Sequence, residues 1–323
     1  MGGDANDAAD AQDTVTPDEA FAMIGHETRV QILEVLATTH RADRPVQFSE
    51  IRRQLGDIDS AHFNYHLDKL VGHFLEQTEA GYDFRRPGRR VAQAILSGSV
   101  LGNPISELTP VDQECHHCGG QLEVMYHRGR IAVYCTECPG IYERSNYQAE
   151  HDDVPDEYGF LGLHDLPPAG MGDRTPTEAL EAAHRFTLAD TLSVASDCCP
   201  RCGGTFDDRV DVCEDHDAAD GCCDSCGYRH QVVYTAHCRN CTFDTRRPFG
   251  TMLVGATPLQ SFVTDHGVNL SGADYETSSG VFMTFDEAVE ETDPFEAVFT
   301  FAIDGDEIDL TVGEDLTVTS VSR

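Results

Sequence analysis

The sequence predicts an α+β chain of several small domains: a helical N-terminal domain ending in a hairpin, cysteine-rich β modules, and a small C-terminal β-hairpin region. Three observations carry this. Apolar residues recur at helical spacing between residues 21 and 90 and then give way to two short extended runs. Cysteines come in CxxC pairs from 115 onward. Two alternating segments near the C-terminus, Ala297–Ile303 and Ile308–Val312, are joined by Asp304-Gly305-Asp306, a hairpin signal.

Phe21 and Ile24, then Val30, Leu33 and Leu36, mark helices at the start of the chain. A short amphipathic helix, Ser49 to Leu55, is broken by Gly56-Asp57. A further helix runs from Ser60 to about Gly72, with Phe63, Leu67 and Leu70 inward. The extended pieces Phe74–Thr78 and Tyr82–Arg85 flank a turn at Glu79-Ala80-Gly81. This order, helix, helix, turn, helix, hairpin, is that of a winged helix-turn-helix. A last helix is expected over Val91–Ser97. The organisation that follows is an acidic, disordered tail at 1–16, the winged helix at 17–100, and a linker at 101–114. A first cysteine module covers 115–147, and an acidic loop and helix cover 148–197. In that segment Thr175-Pro176-Thr177-Glu178 reads as a helix cap. A second cysteine module covers 198–247, and an acidic region with the hairpin covers 248–323.

The segments His26-Glu27-Thr28-Arg29-Val30-Gln31-Ile32-Leu33, Phe48-Ser49-Glu50-Ile51 and Asn64-Tyr65-His66-Leu67-Asp68-Lys69-Leu70 resemble the ArsR-like winged-helix transcriptional regulators, in particular a haloarchaeal branch. The resemblance covers about a quarter of the chain. It implies a third helix in the major groove of duplex DNA, a wing on the backbone, and a homodimer. Carried onto this chain, it implicates Ser60, His62, Asn64, Tyr65, His66 and Lys69, with Arg85 and Arg86 near the wing. Founding members sense metal through cysteines in or near these helices. Residues 17–100 hold no cysteine, so that mechanism is excluded here.

The first cysteine module reads Cys115-x2-Cys118-x16-Cys135-x2-Cys138. Two knuckles separated by a hairpin-length segment form the zinc-ribbon pattern, with four thiolates closing a tetrahedron. His116 and His117, inside the first knuckle, are expected to be exposed rather than ligands. The second module holds Cys199, Cys202, Cys213, His216, Cys223, Cys226, Cys238 and Cys241. Sequential pairing, 199/202 with 213/216 and 223/226 with 238/241, is favoured by near-equal spacings. A nested and an interleaved pairing stay open. Two or three Zn2+ ions are expected in all, with structural roles, because all-thiolate sites leave no position for water. Cys198 and Cys222 are left over.

The formal charge is −35, and Lys69 is the single lysine among 22 basic residues. Such a surface suits solubility at very high salt, as in the cytoplasm of a halophilic archaeon. The charge is uneven: residues 17–100 hold 10 basic against 12 acidic groups, residues 248–323 one against 15. The near-neutral region is the one with the DNA-binding pattern. At molar salt the Debye length is about 3 Å, so close hydrogen bonds and shape count for more than net charge. The first 20 residues are polar and acidic, which argues against a signal peptide, and no run of 18 apolar residues predicts a membrane span. No phosphate loop, hydrolase motif or nucleophile elbow is present, so the expectation is not an enzyme. Two function classes stand: a sequence-specific transcriptional regulator, and a zinc-ribbon adaptor docking a protein of the transcription machinery.

Overall fold

The computed structural model describes residues 15–100, 106–144, 154–219, 221–269, 272 and 274–323; of the tail expected at 1–16, residues 1–14 lie outside them. The chain divides into two compact units between Gly102 and Asn103, the first with one core and the second with two. It is mixed α and β throughout, with helices concentrated in the first unit and sheets in the second.

The first unit begins with α1 (Pro17–Ile24), closed at its start by a reciprocal Thr16–Glu19 capping box. Gly25 and an extended His26 interrupt the helix, and His26 caps α2 (Glu27–Thr38) by accepting a hydrogen bond from the Thr28 N–H at Nδ1. α3 (Phe48–Leu55) stops at Gly56, whose φ of 83° suits glycine. Asp59 then caps α4 (Ser60–Leu70) through the N–H groups of Ala61 and His62. The hairpin β1 (Leu75–Thr78) and β2 (Gly81–Phe84) follows, and α5 (Arg86–Leu96) closes the unit. α5 starts five residues earlier than the apolar pattern suggests, because Pro87 fits the first turn of a helix, where its missing N–H costs nothing. Ile32, Leu33, Leu36, Ile51, Phe63, Leu67 and Leu70 are sealed from solvent, with Phe48 edge-on to Phe63 at 4.7 Å.

The second unit holds three sheets. β3 (Thr109–Glu114), β4 (Gln121–His127), β5 (Arg130–Cys135) and β6 (Gly159–Asp165) form an antiparallel sheet in that order. β3 falls within the expected linker: Pro110 disguises it, and proline is tolerated there because β3 is an edge strand. β6 falls within the expected acidic loop. Its glycines hide it, and they are required: a Cβ on Gly159 would sit 2.0 Å from the Cys138 carbonyl oxygen. α6 (Pro176–Val194) carries the expected cap, with Thr175 and Glu178 bonded reciprocally.

β7 (Phe206–Val212), β8 (Val232–Cys238) and β9 (Asp244–Pro248) make a three-stranded antiparallel sheet. α7 (Thr257–Asp265) and α8 (Tyr275–Phe282) follow. The chain ends in a four-stranded meander of β10 (Asp286–Thr292), β11 (Phe295–Ile303), β12 (Asp306–Val312) and β13 (Val318–Ser322). The β11–β12 turn is the expected Asp304-Gly305, with φ of 54° and 89°. Ala297, Phe299, Phe301, Ile308, Leu310 and Val312 alternate inward and are sealed from solvent. They share one core with Val194, Phe206, Val232 and Phe249. The first cysteine module shares the other core with α6, Tyr228 and Tyr275. The segments expected as separate modules therefore fold together. The reason is area: a ribbon alone buries too little apolar surface, and here each one leans on its neighbours.

Candidate metal centres and the α4 face

Three knuckles have one local design. In Cys115-His-His-Cys118-Gly119, Cys199-Pro-Arg-Cys202-Gly203 and Cys223-Asp-Ser-Cys226-Gly227 the glycine has φ between 72° and 76°. Its N–H returns to the carbonyl of the first cysteine at 2.7–2.8 Å. Only glycine makes that turn without strain, and the turn sets the two thiols of each knuckle side by side.

The first group is Cys115, Cys118, Cys135 and Cys138, as the spacing predicts. The β4–β5 hairpin, with Leu122 opposite Cys135, brings both knuckles to its open end. The Sγ atoms of Cys115 and Cys138 are 3.9 Å apart, and those of Cys118 and Cys135 3.5 Å. A tetrahedron with metal–sulfur bonds of about 2.3 Å has edges of about 3.8 Å, whereas a disulfide would need about 2.0 Å. All thirteen cysteines are free, and the spacing suits a metal ion held by four thiolates.

The second module departs from the favoured pairing. Its groups are Cys199, Cys202, Cys238 and Cys241, and Cys213, His216, Cys223 and Cys226, which is the nested arrangement. The residues between Cys202 and Cys213 are not a hairpin loop but strand β7. Phe206 pairs with Cys238 at one end of the β7–β8 ladder and Val212 with Val232 at the other. The outer four ligands therefore meet at one end of the strands and the inner four at the opposite end, roughly 20 Å away for six strand steps. Sγ–Sγ distances in the outer group are 3.4 Å for Cys202–Cys238 and 3.7 Å for Cys199–Cys241. In the inner group His216 Nδ1 lies 3.6 Å from Cys226 Sγ, while its Nε2–H donates to the Arg229 carbonyl at 3.1 Å. That bond fixes the tautomer and leaves Nδ1 as the ligand atom.

Backbone N–H groups prepare the thiolates. Gly204 and Asn240 donate to Cys202 and Cys238, and Asp217 to Cys223. The Gly204 N–H draws the Cys202 thiol down to about 6, and the Asp217 N–H does the same for Cys223. Cys115, which accepts a hydrogen bond from the Cys138 thiol, falls to about 5. Cys198 and Cys222 stay outside all three groups, and burial pushes Cys222 up to about 11. His116 corrects the sequence expectation. It is no ligand, but it is not exposed either: its ring lies 6.0 Å from that of Tyr275, and burial holds it down to about 3.

On α4, Ser60, His62, Asn64, Tyr65 and Lys69 share the exposed face, and Tyr65 is 57% exposed. Asn64 donates to Asp68 at 2.8 Å, and the Lys69 ammonium lies 5.7 Å from the Tyr65 ring. Arg85 and Arg86 are exposed where the hairpin meets α5, with the Arg85 guanidinium donating to the Gly72 carbonyl. His66 is the exception. It is 3% exposed and turned inward, its ring 4.0 Å from that of His26 and its Nε2 2.9 Å from His62 Nε2. Packing against His26 buries it beside Leu67 and Leu70, so it cannot reach a base edge. The three imidazoles form a cluster with nitrogens within 4.8 Å of one another, a grouping able to hold a metal ion. Sequence reasoning missed it because His26 lies 36 positions from His62 and joins through tertiary packing.

The fold and these centres define a class: a two-unit chain whose first unit is helical with one hairpin and whose second is a β-rich body carrying three four-ligand groups able to hold metal ions. The chain belongs to the family described as a domain of unknown function (DUF7351), which matches residues 112–318. A second such domain (DUF7347) matches residues 17–95. No curated protein and no solved structure matches the chain. Among the described residues, no helix is long and apolar enough to cross a membrane.

Proposed function

We propose that the protein is a DNA-binding transcriptional regulator of a halophilic archaeon, ArsR-like in its first unit, acting in the cytoplasm as a homodimer. The observation that carries this reading is the α4 face. Ser60, His62, Asn64, Tyr65 and Lys69 stand outward while Phe63, Leu67 and Leu70 anchor the helix, and the hairpin that would serve as the wing follows directly. Asn64 has the reach and chemistry to read an adenine edge, and Lys69 to meet a phosphate. Leu96 and Val100, 45% and 63% exposed beyond the core face of α5, are apolar surface that a second copy would cover. In this reading the three cages hold zinc. Their thiolate-dominated, closed tetrahedra suit it and leave no position for substrate or water, so the metal supplies folding energy rather than chemistry.

Fluorescence anisotropy with a 30-base-pair random library, selected over several rounds, tests this. Asn64→Ala is expected to reduce preference for the selected duplex by about 5- to 100-fold, the worth of one bidentate base contact. Lys69→Ala should weaken all duplexes alike. Equal, unselective binding by all three proteins would remove the regulator reading. No binding at all, with the metals in place, would favour the adaptor.

A further inference from the structure

The second unit contains a cavity of about 530 Å³ enclosed by β6, α6, the start of β9 and α8. Its size is that of a small-molecule site. Its charge runs against the rest of the unit. Residues 103–323 carry 12 arginines against 41 carboxylates, yet three arginines, Arg130, Arg246 and Arg247, line this one cavity beside only two aspartates. One of those, Asp165, is already bonded to Arg201 at 2.6 Å. The Arg246 guanidinium lies over the Tyr228 ring at 4.9 Å, and Arg247 is held by Thr245 and Thr191, so both cations are positioned rather than trailing.

Two histidines complete the polar side. His184, on α6, is 9% exposed, and neither ring nitrogen has a hydrogen-bond partner in the protein. Nδ1 of His164, on β6, is also without one. The rings of both meet the Tyr275 ring, at 5.2 and 5.5 Å. A buried imidazole with no partner costs stability, and a ligand in the cavity that bonded it would remove that cost. Burial holds His184 down to about 4, so at neutral pH it is uncharged and offers one donor and one acceptor. Apolar side chains also line the cavity: Leu161, Leu188, Val254 and Phe282.

We infer that this cavity is a binding site for a small organic carboxylate with an apolar body, its carboxylate on the arginines, its body against the leucines and Phe282, and a polar substituent on His184. The inference stands on the second unit alone and does not depend on DNA binding.

The test is calorimetric titration of the full, metal-loaded chain in molar potassium chloride with 2-naphthoate and with 2-naphthamide, which differ in charge but hardly in shape. One site per chain is expected, with the acid at least tenfold tighter, as a charge-assisted hydrogen bond requires. Arg246→Gln, at an exposed position, should bring the acid down to the level of the amide with metal content and circular dichroism unchanged. His184→Phe should block both ligands. Equal affinity of acid and amide would overturn the assignment. So would acid binding that survives Arg246→Gln at full strength, or no binding of the acid at millimolar concentration to a folded chain.

Discussion

The nested arrangement of ligands makes a prediction that separates it from every alternative pairing. Cys202 and Cys238 share a cage, with sulfurs 3.4 Å apart, whereas Cys223 belongs to the cage at the other end of the β7–β8 ladder. Removing even one thiolate of four leaves a cage unable to keep its ion against a chelator. The double variant Cys202→Ser/Cys238→Ser should lose one metal of three, and Cys202→Ser/Cys223→Ser should lose two. Sequential pairing demands that both variants lose two, and interleaved pairing that the first loses two and the second one. The energies make the readout sharp. A structural zinc contributes about 10–16 kcal/mol, comparable with or larger than the total stability of a domain, about 5–15 kcal/mol. An emptied cage therefore frees the strand ends it pinned. Because the two cages lie roughly 20 Å apart along the strands, loss of one need not empty the other. Native mass spectrometry counts the ions directly, and proteolysis locates the loosened end. Only one ion retained by Cys202→Ser/Cys238→Ser, which both alternative pairings require, would refute the nested geometry.

Other consequences follow from single positions. Gly159→Ala would press a Cβ onto the Cys138 carbonyl and the Gly140 N–H, at 2.0 and 2.2 Å. It should destabilise the first cage by about 3 kcal/mol or more, seen as a lower melting temperature and faster release of one metal to a chelator. Thr175→Ala removes the side-chain half of the α6 capping box, the Glu178 N–H bond to the Thr175 hydroxyl, and should cost about 1 kcal/mol, while Thr175→Ser should cost much less. Glu287 is buried beside His230, and burial raises its carboxyl to about 7. Its folded form holds a proton that the unfolded chain releases near 4.5. Stability from this group is therefore present below pH 4.5 and is lost as pH rises to 7. Glu287→Gln should be more stable than the parent at pH 8 by about 2–3 kcal/mol and equal to it near pH 4.5, by denaturant titration at the two pH values.

What the sequence disclosed, and what it hid, has a physical pattern. Features set by local spacing were legible: the helices between 17 and 70, the Thr175 cap, the Asp304-Gly305 turn, and the first cage, whose knuckles are joined by a single hairpin. Features set by long-range pairing were not. The ten residues between Cys202 and Cys213 could be loop or strand, and only the ladder with β8 decides it. β3 and β6 were masked by proline and glycine whose reasons are tertiary: an edge position and the Cys138 carbonyl. His66 looked like a surface residue of α4, but its direction depends on where α2 packs. The histidine-lined cavity draws on residues from 130 to 283, a separation no motif spans.

The central claim is that the α4 face reads duplex DNA. Its most direct test is binding of the zinc-loaded chain, in molar potassium chloride, to a duplex from the chain's own upstream region and to a scrambled duplex of equal composition. The account predicts preference for the native duplex, lost on Asn64→Ala with the fold and metals intact. Equal affinity for both duplexes, or none for either, would contradict it.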